Sequence, residues 1–167
     1  LVITGTHGKT TTASLLAWVL DCNGFNPSYL IGGIPENFSQ GARFTDSEWI
    51  VLEGDEYDTA FFDKRSKFLH YLPEVVLINN LEFDHSDIFN DLQQIQTSFK
   101  RLVNLVPSNG LLLVNGDDKN ITPLIDIDHC PIESFTLSHL NNLEYRQAGA
   151  GFVLDEFCFE LPLYGEL

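Results

Sequence analysis

The chain has 167 residues, 44% hydrophobic and 20% charged, a balance that suits one globular domain with a real core. Nine Lys and Arg stand against 24 Asp and Glu, a net charge of −15. That acidity argues against nucleic acid or an anionic membrane as the main partner, since both require a basic face.

No apolar run approaches the length of a membrane span, and no stretch reads as a signal peptide. Cys22, Cys130 and Cys158 are scattered, with no C-x-x-C pair, which predicts reduced thiols in a cytoplasmic protein. Cys22 falls in a helical pattern and Cys158 in an alternating one, so both are expected in the core. The chain contains no methionine and opens inside its first apolar strand. That predicts a piece of a longer chain, with sequence preceding Leu1.

Leu1-Val2-Ile3 predicts a strand, and Gly5-Thr6-His7-Gly8-Lys9-Thr10-Thr11-Thr12 follows it directly. From Lys9 to Asn23, Ala13, Leu15, Leu16, Trp18, Val19 and Leu20 recur at helical spacing, and Gly24 supplies the stop. Ser28 to Ile31 reads as a short strand closed by Gly32-Gly33, and 35–46 as a polar loop. Trp49 to Leu52 and Val75 to Asn79 are apolar runs of the kind buried on both faces of a parallel sheet. Between them, 59–72 mixes aromatic and basic residues and reads as a short helix or an ordered loop. A helix is expected from Ser86 or Asp91 to Val106, ended by Pro107 and Gly110. Leu111 to Val114 is another buried strand. A short helix over 121–127 and a strand over 133–137 follow. The strands 143–147, 152–154 and 157–161 come last, the final one alternating as in an antiparallel sheet with one open face. The expectation is an α/β fold: a mostly parallel sheet of the P-loop NTPase kind, flanked by helices, with a smaller antiparallel β portion near the C-terminus.

Strand, glycine loop and helix together form the setting of a phosphate-binding loop. Ile3 stands where the general G-x-x-x-x-G-K-[ST] pattern has its first glycine, and Gly5 supplies a tighter G-x-x-G-K-T. Glycines let successive N–H groups turn toward phosphate oxygens, and the helix start adds the positive end of its dipole. Lys9 can reach the terminal phosphates, and the Thr10 hydroxyl can serve a magnesium ion that bridges them. Gly5, Thr6, His7, Gly8, Lys9, Thr10 and Thr11 are thus candidate contacts to the phosphates of a nucleotide.

Polar residues gather where the other apolar strands end: Glu53-Gly54-Asp55-Glu56-Tyr57-Asp58, then Asn80-Leu81-Glu82-Phe83-Asp84-His85, then Asn115-Gly116-Asp117-Asp118. Open α/β sheets build their sites at such ends. Thr10, Glu53 and phosphate oxygens would suit magnesium, with His85 available to a second ion. Asp55, Glu56 and Asp58 read as structural or supporting acids. Asp84 and Ser86 read as caps for the following helix, which leaves His85 for function. Lys64, Arg65 and Lys67 are a basic cluster that either meets an anionic substrate or is a solvated face.

T-G-T-H-G-K-T-T-T, L-E-G-D-E-Y-D, N-N-L-E-F-D-H-S-D and N-G-D-D, in that order over most of the chain, resemble the central ATP-binding domain of the muramyl ligases of bacterial cell-wall synthesis. G-G-I-P-E-N-F and D-T-A-F-F-D-K-R-S-K-F-L-H-Y resemble one branch, which joins a recycled wall tripeptide to UDP-N-acetylmuramate. The branch that adds L-alanine is the alternative. The resemblance implies that ATP phosphorylates the lactyl carboxylate of UDP-N-acetylmuramate. The amine of L-alanyl-γ-D-glutamyl-meso-diaminopimelate then displaces phosphate. It implies ATP and Mg2+ as cofactors, Lys9 and His85 as catalytic residues, and Thr10, Glu53 and His85 as metal ligands. It also implies Asn115 and Asp117 at the nucleotide, and Asn80 and Arg65 as substrate contacts. Some relatives carbamylate a lysine near the position of Lys100, but the alanine-adding branch does not, and none is expected here.

By the same resemblance, residues 1–167 are one central domain. Its partners are the two substrates and the UDP-binding and amino-acid-binding domains of the same chain, outside this sequence, as is the segment that holds adenine. A P-loop kinase and a non-catalytic nucleotide-binding module are the competing readings.

Overall fold

The computed structural model describes residues 1–84, 89–147 and 149–162. Its centre is a seven-stranded sheet. The strands are β1 (Val2–Thr4), β2 (Ser28–Leu30), β3 (Ala42–Arg43), β4 (Ile50–Glu53), β7 (Val75–Ile78), β8 (Leu111–Asn115) and β9 (Ile132–Phe135). They lie in the order β3-β2-β4-β1-β7-β8-β9, and only β3 runs antiparallel, at the edge. The chain lays β2 and β3 on one side of β1, returns to insert β4 between β2 and β1, then crosses to the other side for β7, β8 and β9. The carboxyl ends of β1, β4, β7 and β8 therefore share one edge around that crossing, where open α/β sheets place ligands.

Alternation along β1 assigns its side chains to two cores. Ile3 faces α1 (Lys9–Cys22), in a cluster with Ala13, Ala17, Tyr29, Ile31 and Val51. Val2 faces the opposite side, in a larger cluster with Val76, Ile78, Leu112 and Val114 of the sheet and Ile95, Phe99, Leu102 and Val103 of α2 (Leu92–Val103). Each helix covers part of one face. The apolar strands are therefore less enclosed than their composition implies. Val51 is fully buried, while Trp49 and Ile50 stay more than one-third exposed.

The α1 helix ends as expected. Gly24, at positive φ, lets the Gly24 N–H reach the Asp21 carbonyl and the Phe25 N–H reach the Leu20 carbonyl. The α2 helix starts later than Ser86 would require. Asp91 is its cap, accepting from the Gln94 N–H at 2.9 Å, and the Gln94 side chain accepts from the Asn90 N–H at 3.1 Å. Asp84 is not that cap, and Ser86 lies outside the described residues.

The 59–72 stretch is neither one helix nor a plain loop. It holds most of a hairpin, β5 (Asp58–Ala60) and β6 (Asp63–Ser66), then a 3-10 turn over Lys67–His70 that buries Phe68 against Phe99. The expected 121–127 helix is a single 3-10 turn, Thr122–Leu124. The chain ends in an antiparallel sheet of β10 (Asn141–Arg146), β11 (Gly149–Leu154) and β12 (Phe157–Leu161). Phe157 and Phe159 alternate as foreseen, yet both stay exposed, with Phe159 stacked on Phe152.

Cys22 and Cys158 are exposed, contrary to expectation, and Cys130 is the buried thiol. Cys22 is the last residue of α1, beyond the buried Ala13 and Ala17 stripe, and Cys158 lies in the open sheet. Among the described residues no helix is long and apolar enough to cross a membrane.

Candidate functional site

The Gly5–Thr10 loop leaves the end of β1 and is gripped from both sides. On the β7 side the hydrogen bonds are between neutral groups, and the Glu82 carboxylate lies 3.6 Å from the His7 imidazole. The Asn80 carboxamide accepts from the His7 N–H at 2.7 Å and donates to the His7 carbonyl at 3.2 Å. The Thr6 N–H donates to the Asn80 carbonyl at 3.1 Å. The Thr6 hydroxyl accepts from the Glu82 N–H at 2.8 Å and donates to the Glu82 carbonyl at 3.2 Å. Asn79 donates to the Thr12 hydroxyl at 2.9 Å, tying β7 to the first turn of α1. Gly5 permits this closeness: its φ is +136°, and a Cβ there would lie 2.9 Å from the Asn80 carbonyl oxygen.

On the β4 side the grip is charged. Glu53 accepts from the Thr10 hydroxyl at 2.6 Å through one oxygen and from the Gly32 N–H at 2.6 Å through the other. The two residues expected to share a cation thus stand together, brought from α1 and the end of β4. Gly32 packs close beside them: a Cβ there would lie 3.2 Å from the Glu53 carboxylate, which would have to shift by a few tenths of an ångström. Lys9 folds over the loop that precedes it. Its ammonium donates to the Gly5 carbonyl at 2.7 Å, the Thr6 carbonyl at 3.1 Å and the Glu56 carboxylate at 3.1 Å. Glu56 is only 3% exposed. It is a member of the site that the sequence reading set aside as a supporting acid, because an acidic run does not reveal which of its carboxylates turns inward.

Asp55 and Lys67 hold that segment in place. Their carboxylate and ammonium lie 2.8 Å apart, and the Asp55 carbonyl accepts from the Phe68 N–H. Burial alone would push the Asp55 carboxyl up. The Lys67 hydrogen bond, the Tyr57 N–H and the charges of Lys67 and Lys9 outweigh it and hold the group below its ordinary value. The Asp55 hydrogen bond and charge raise the Lys67 ammonium in turn.

Gly8, at φ +77°, starts α1 without a side-chain cap, and Thr12 is the first residue to donate back to its carbonyl. The N–H groups of Lys9, Thr10 and Thr11 therefore have no partner within the helix. Beside them a cleft of about 670 Å³ is lined by His7, Gly8, Asn80, Asn115, Asp117 and Lys119, among others. Asn115 and Asp117 thus border the cleft that adjoins the loop. Each also braces backbone: Asn115 accepts from the Asp117 N–H at 3.0 Å, and Asp117 from the Leu137 N–H at 2.8 Å. Asp118, which carried no assignment, ties two strand ends by accepting from the Leu81 N–H at 2.6 Å and the Asn120 N–H at 2.8 Å.

Two expectations gain a different setting. Asn80 was expected near a substrate carboxylate, but its carboxamide holds the His7 peptide. Arg65 is not at the loop cleft. Its guanidinium pairs with Asp63 at 2.7 Å, and it lines a separate cleft of about 250 Å³ between the hairpin and α2. His85 lies outside the described residues. Among the described residues no cluster of three or more His, Cys, Asp or Glu side chains forms a ready-made metal cage. Lys100 is exposed on α2.

The comparisons with known proteins agree with this architecture. The family model described as the Mur ligase middle domain matches residues 3–166. The UDP-N-acetylmuramate–L-alanyl-γ-D-glutamyl-meso-2,6-diaminoheptandioate ligases of Haemophilus influenzae and Escherichia coli are each 51% identical, over 120 and 121 residues, which is 72% of this chain and 26% of each relative. A UDP-N-acetylmuramate–L-alanine ligase of Clostridium botulinum is 32% identical over 155 residues, 90% of this chain and 32% of that relative. This chain spans about a quarter of the length of the first two. The crystal structure of a UDP-N-acetylmuramate:L-alanyl-γ-D-glutamyl-meso-diaminopimelate ligase from Neisseria meningitides superposes with a TM-score of 0.87 at 46% identity, over 99% of this chain and 56% of that one. A match over nearly the whole length places this chain in the Mur ligase family, as a middle domain of that family.

Proposed function

We propose that this chain is the central, nucleotide-binding domain of a longer, cytoplasmic, ATP-dependent ligase. That ligase joins UDP-N-acetylmuramate to the tripeptide L-alanyl-γ-D-glutamyl-meso-diaminopimelate in the recycling of cell-wall peptide. The observation that carries the chemistry is the 2.6 Å contact between Thr10 and Glu53 beside the Lys9 loop. It gathers a hydroxyl and a carboxylate, the oxygen donors magnesium prefers. The choice of tripeptide over L-alanine rests on 51% identity to tripeptide ligases against 32% to an alanine ligase.

In this reading the N–H groups at the start of α1 receive phosphate oxygens, and Lys9 neutralises charge on the terminal phosphates. Thr10 and Glu53 would hold one magnesium ion and His85 a second. Bound magnesium supplies charge neutralisation at the phosphates. The γ-phosphoryl group passes to the lactyl carboxylate, giving an acyl phosphate and ADP. The tripeptide amine attacks the acyl carbon, loses a proton and expels inorganic phosphate. The protein's share is positioning and electrostatics. Asn115 and Asp117 border the nucleotide, with Asn80 holding the loop. Arg65 is assigned to anionic substrate through the hairpin cleft.

The test is phosphate release by the full-length ligase with UDP-N-acetylmuramate, ATP and magnesium, offered either tripeptide or L-alanine. Release with tripeptide alone is the expected result. Release with L-alanine alone would move the chain to the biosynthetic branch, and release with neither would overturn the ligase reading.

A further inference from the structure

The Lys9 ammonium has three N–H donors, and the protein supplies an acceptor for each: the Gly5 carbonyl, the Thr6 carbonyl and the Glu56 carboxylate. The two carbonyls come from the loop itself and are neutral. Glu56 comes from the segment after β4 and brings a full negative charge. At 3% exposure that charge is poorly screened by solvent. Glu53 plays a different part, its two oxygens accepting from Thr10 and Gly32 rather than from Lys9. A phosphate that recruits Lys9 must therefore draw the ammonium away from one of these acceptors, and it meets a like charge in Glu56.

We infer that Glu56 is a positioning residue that competes with nucleotide phosphate for Lys9. It keeps the ammonium ordered at the loop and weakens the hold on phosphate, so that the nucleoside diphosphate product is released more readily. This rests on the nucleotide-binding reading above. Its sign separates it from a merely structural role. A glutamate that only braced the loop would, on removal, loosen the loop and weaken nucleotide binding. A competing glutamate, on losing its charge but not its shape, leaves Lys9 freer for phosphate.

The experiment is calorimetric titration of the full-length ligase with Mg-ATP and with ADP, comparing wild type, Glu56→Gln and Lys9→Ala. Glu56→Gln is expected to tighten both nucleotides by about fivefold, equivalent to roughly 1 kcal/mol, and to slow ADP release in stopped-flow displacement. Lys9→Ala is expected to weaken both. Unchanged or weaker binding by folded Glu56→Gln, with Lys9→Ala still defective, would overturn the role of Glu56 and leave the nucleotide site standing. Wild type that binds neither nucleotide would overturn both. Should Glu56→Gln not fold, Glu56→Asp carries the test. Its shorter carboxylate should tighten ADP by a smaller factor, and equal or weaker affinity would count against the proposal.

Discussion

The two flanks of the loop are built from different chemistry. On the β7 flank, Asn79, Asn80 and the Glu82 peptide hold the loop through neutral hydrogen bonds to its backbone and hydroxyls. On the β4 flank, Glu53 and Glu56 hold the two side chains that would meet phosphate and metal, Thr10 and Lys9. One flank sets shape and the other sets charge. A neutral grip keeps its strength whatever ion binds beside it. A charged grip on a reactive group becomes part of the reaction, because phosphate and metal compete for the same partners. Changes on the charged flank should therefore register in activity, and changes on the neutral flank in stability and affinity together.

The largest expected effect comes from Glu53→Ala. Phosphate release by the full-length ligase should fall by about 10²- to 10³-fold, the scale for removing a preorganised charge-stabilising group. The melting temperature should drop by only about 4–8 °C, as befits the two half-exposed hydrogen bonds its carboxylate accepts. A large fall in melting temperature would erase the distinction between the flanks. Gly5→Ala comes next and should show the reverse balance. The new methyl group would press on the Asn80 carbonyl at a φ that side chains avoid. A loss of about 2–4 kcal/mol in urea unfolding is expected. Asn80→Ala removes two bonds to the His7 peptide. It should cost about 1–2 kcal/mol of stability, with nucleotide affinity weakened by about tenfold or less. Asn80→Asp sharpens the point. It keeps an acceptor for the His7 N–H but adds a charge to the neutral flank, so its ATP affinity should fall below that of Asn80→Ala.

The order of sheet and helices was legible because apolar runs and helical periodicity report burial directly. That Lys9, Thr10 and Glu53 would come together was legible because the first two open the helix after a glycine loop and the third closes an apolar strand. Glu56 was not, since sequence does not say which acid of Asp55, Glu56 and Asp58 turns into the protein. The hold of Asn80 on the His7 peptide was not legible, because an amide near a loop can serve ligand, backbone or both and only distance shows the backbone bonds. The hairpin over 58–66 escaped because its strands are short and polar, with the aromatic pair Phe61 and Phe62 exposed between them rather than a buried alternating face. Cys22 and Cys158 were misplaced because two helices leave more of this domain open than its composition implies.

The smallest predicted effect concerns the support of the charged flank. Asp55 is held below its ordinary value of 3.8 and Lys67 above its ordinary 10.5. A carboxyl depressed on folding adds stability above its unfolded value, and that stability is lost as pH falls through the folded value. A lysine raised on folding adds stability below its unfolded value, lost as pH rises through the folded one. The pair therefore contributes fully across neutral pH and fades at both extremes. Its side chains are 31% and 41% exposed, so solvent limits the contribution to about 1 kcal/mol or less. Replacing Lys67 with Met should leave a stability deficit that is constant between about pH 5 and pH 9 and shrinks below about pH 4. Urea unfolding across that range reads it directly. Because Asp55 and Lys67 fix the backbone on either side of Glu56, the same variant should also loosen the Lys9 partner without touching the neutral flank. Nucleotide affinity should then shift in the direction expected for Glu56→Gln, by a smaller factor. A shift in the opposite direction would mean that the charged flank depends on this brace for shape as well, and the division between the two flanks would no longer hold.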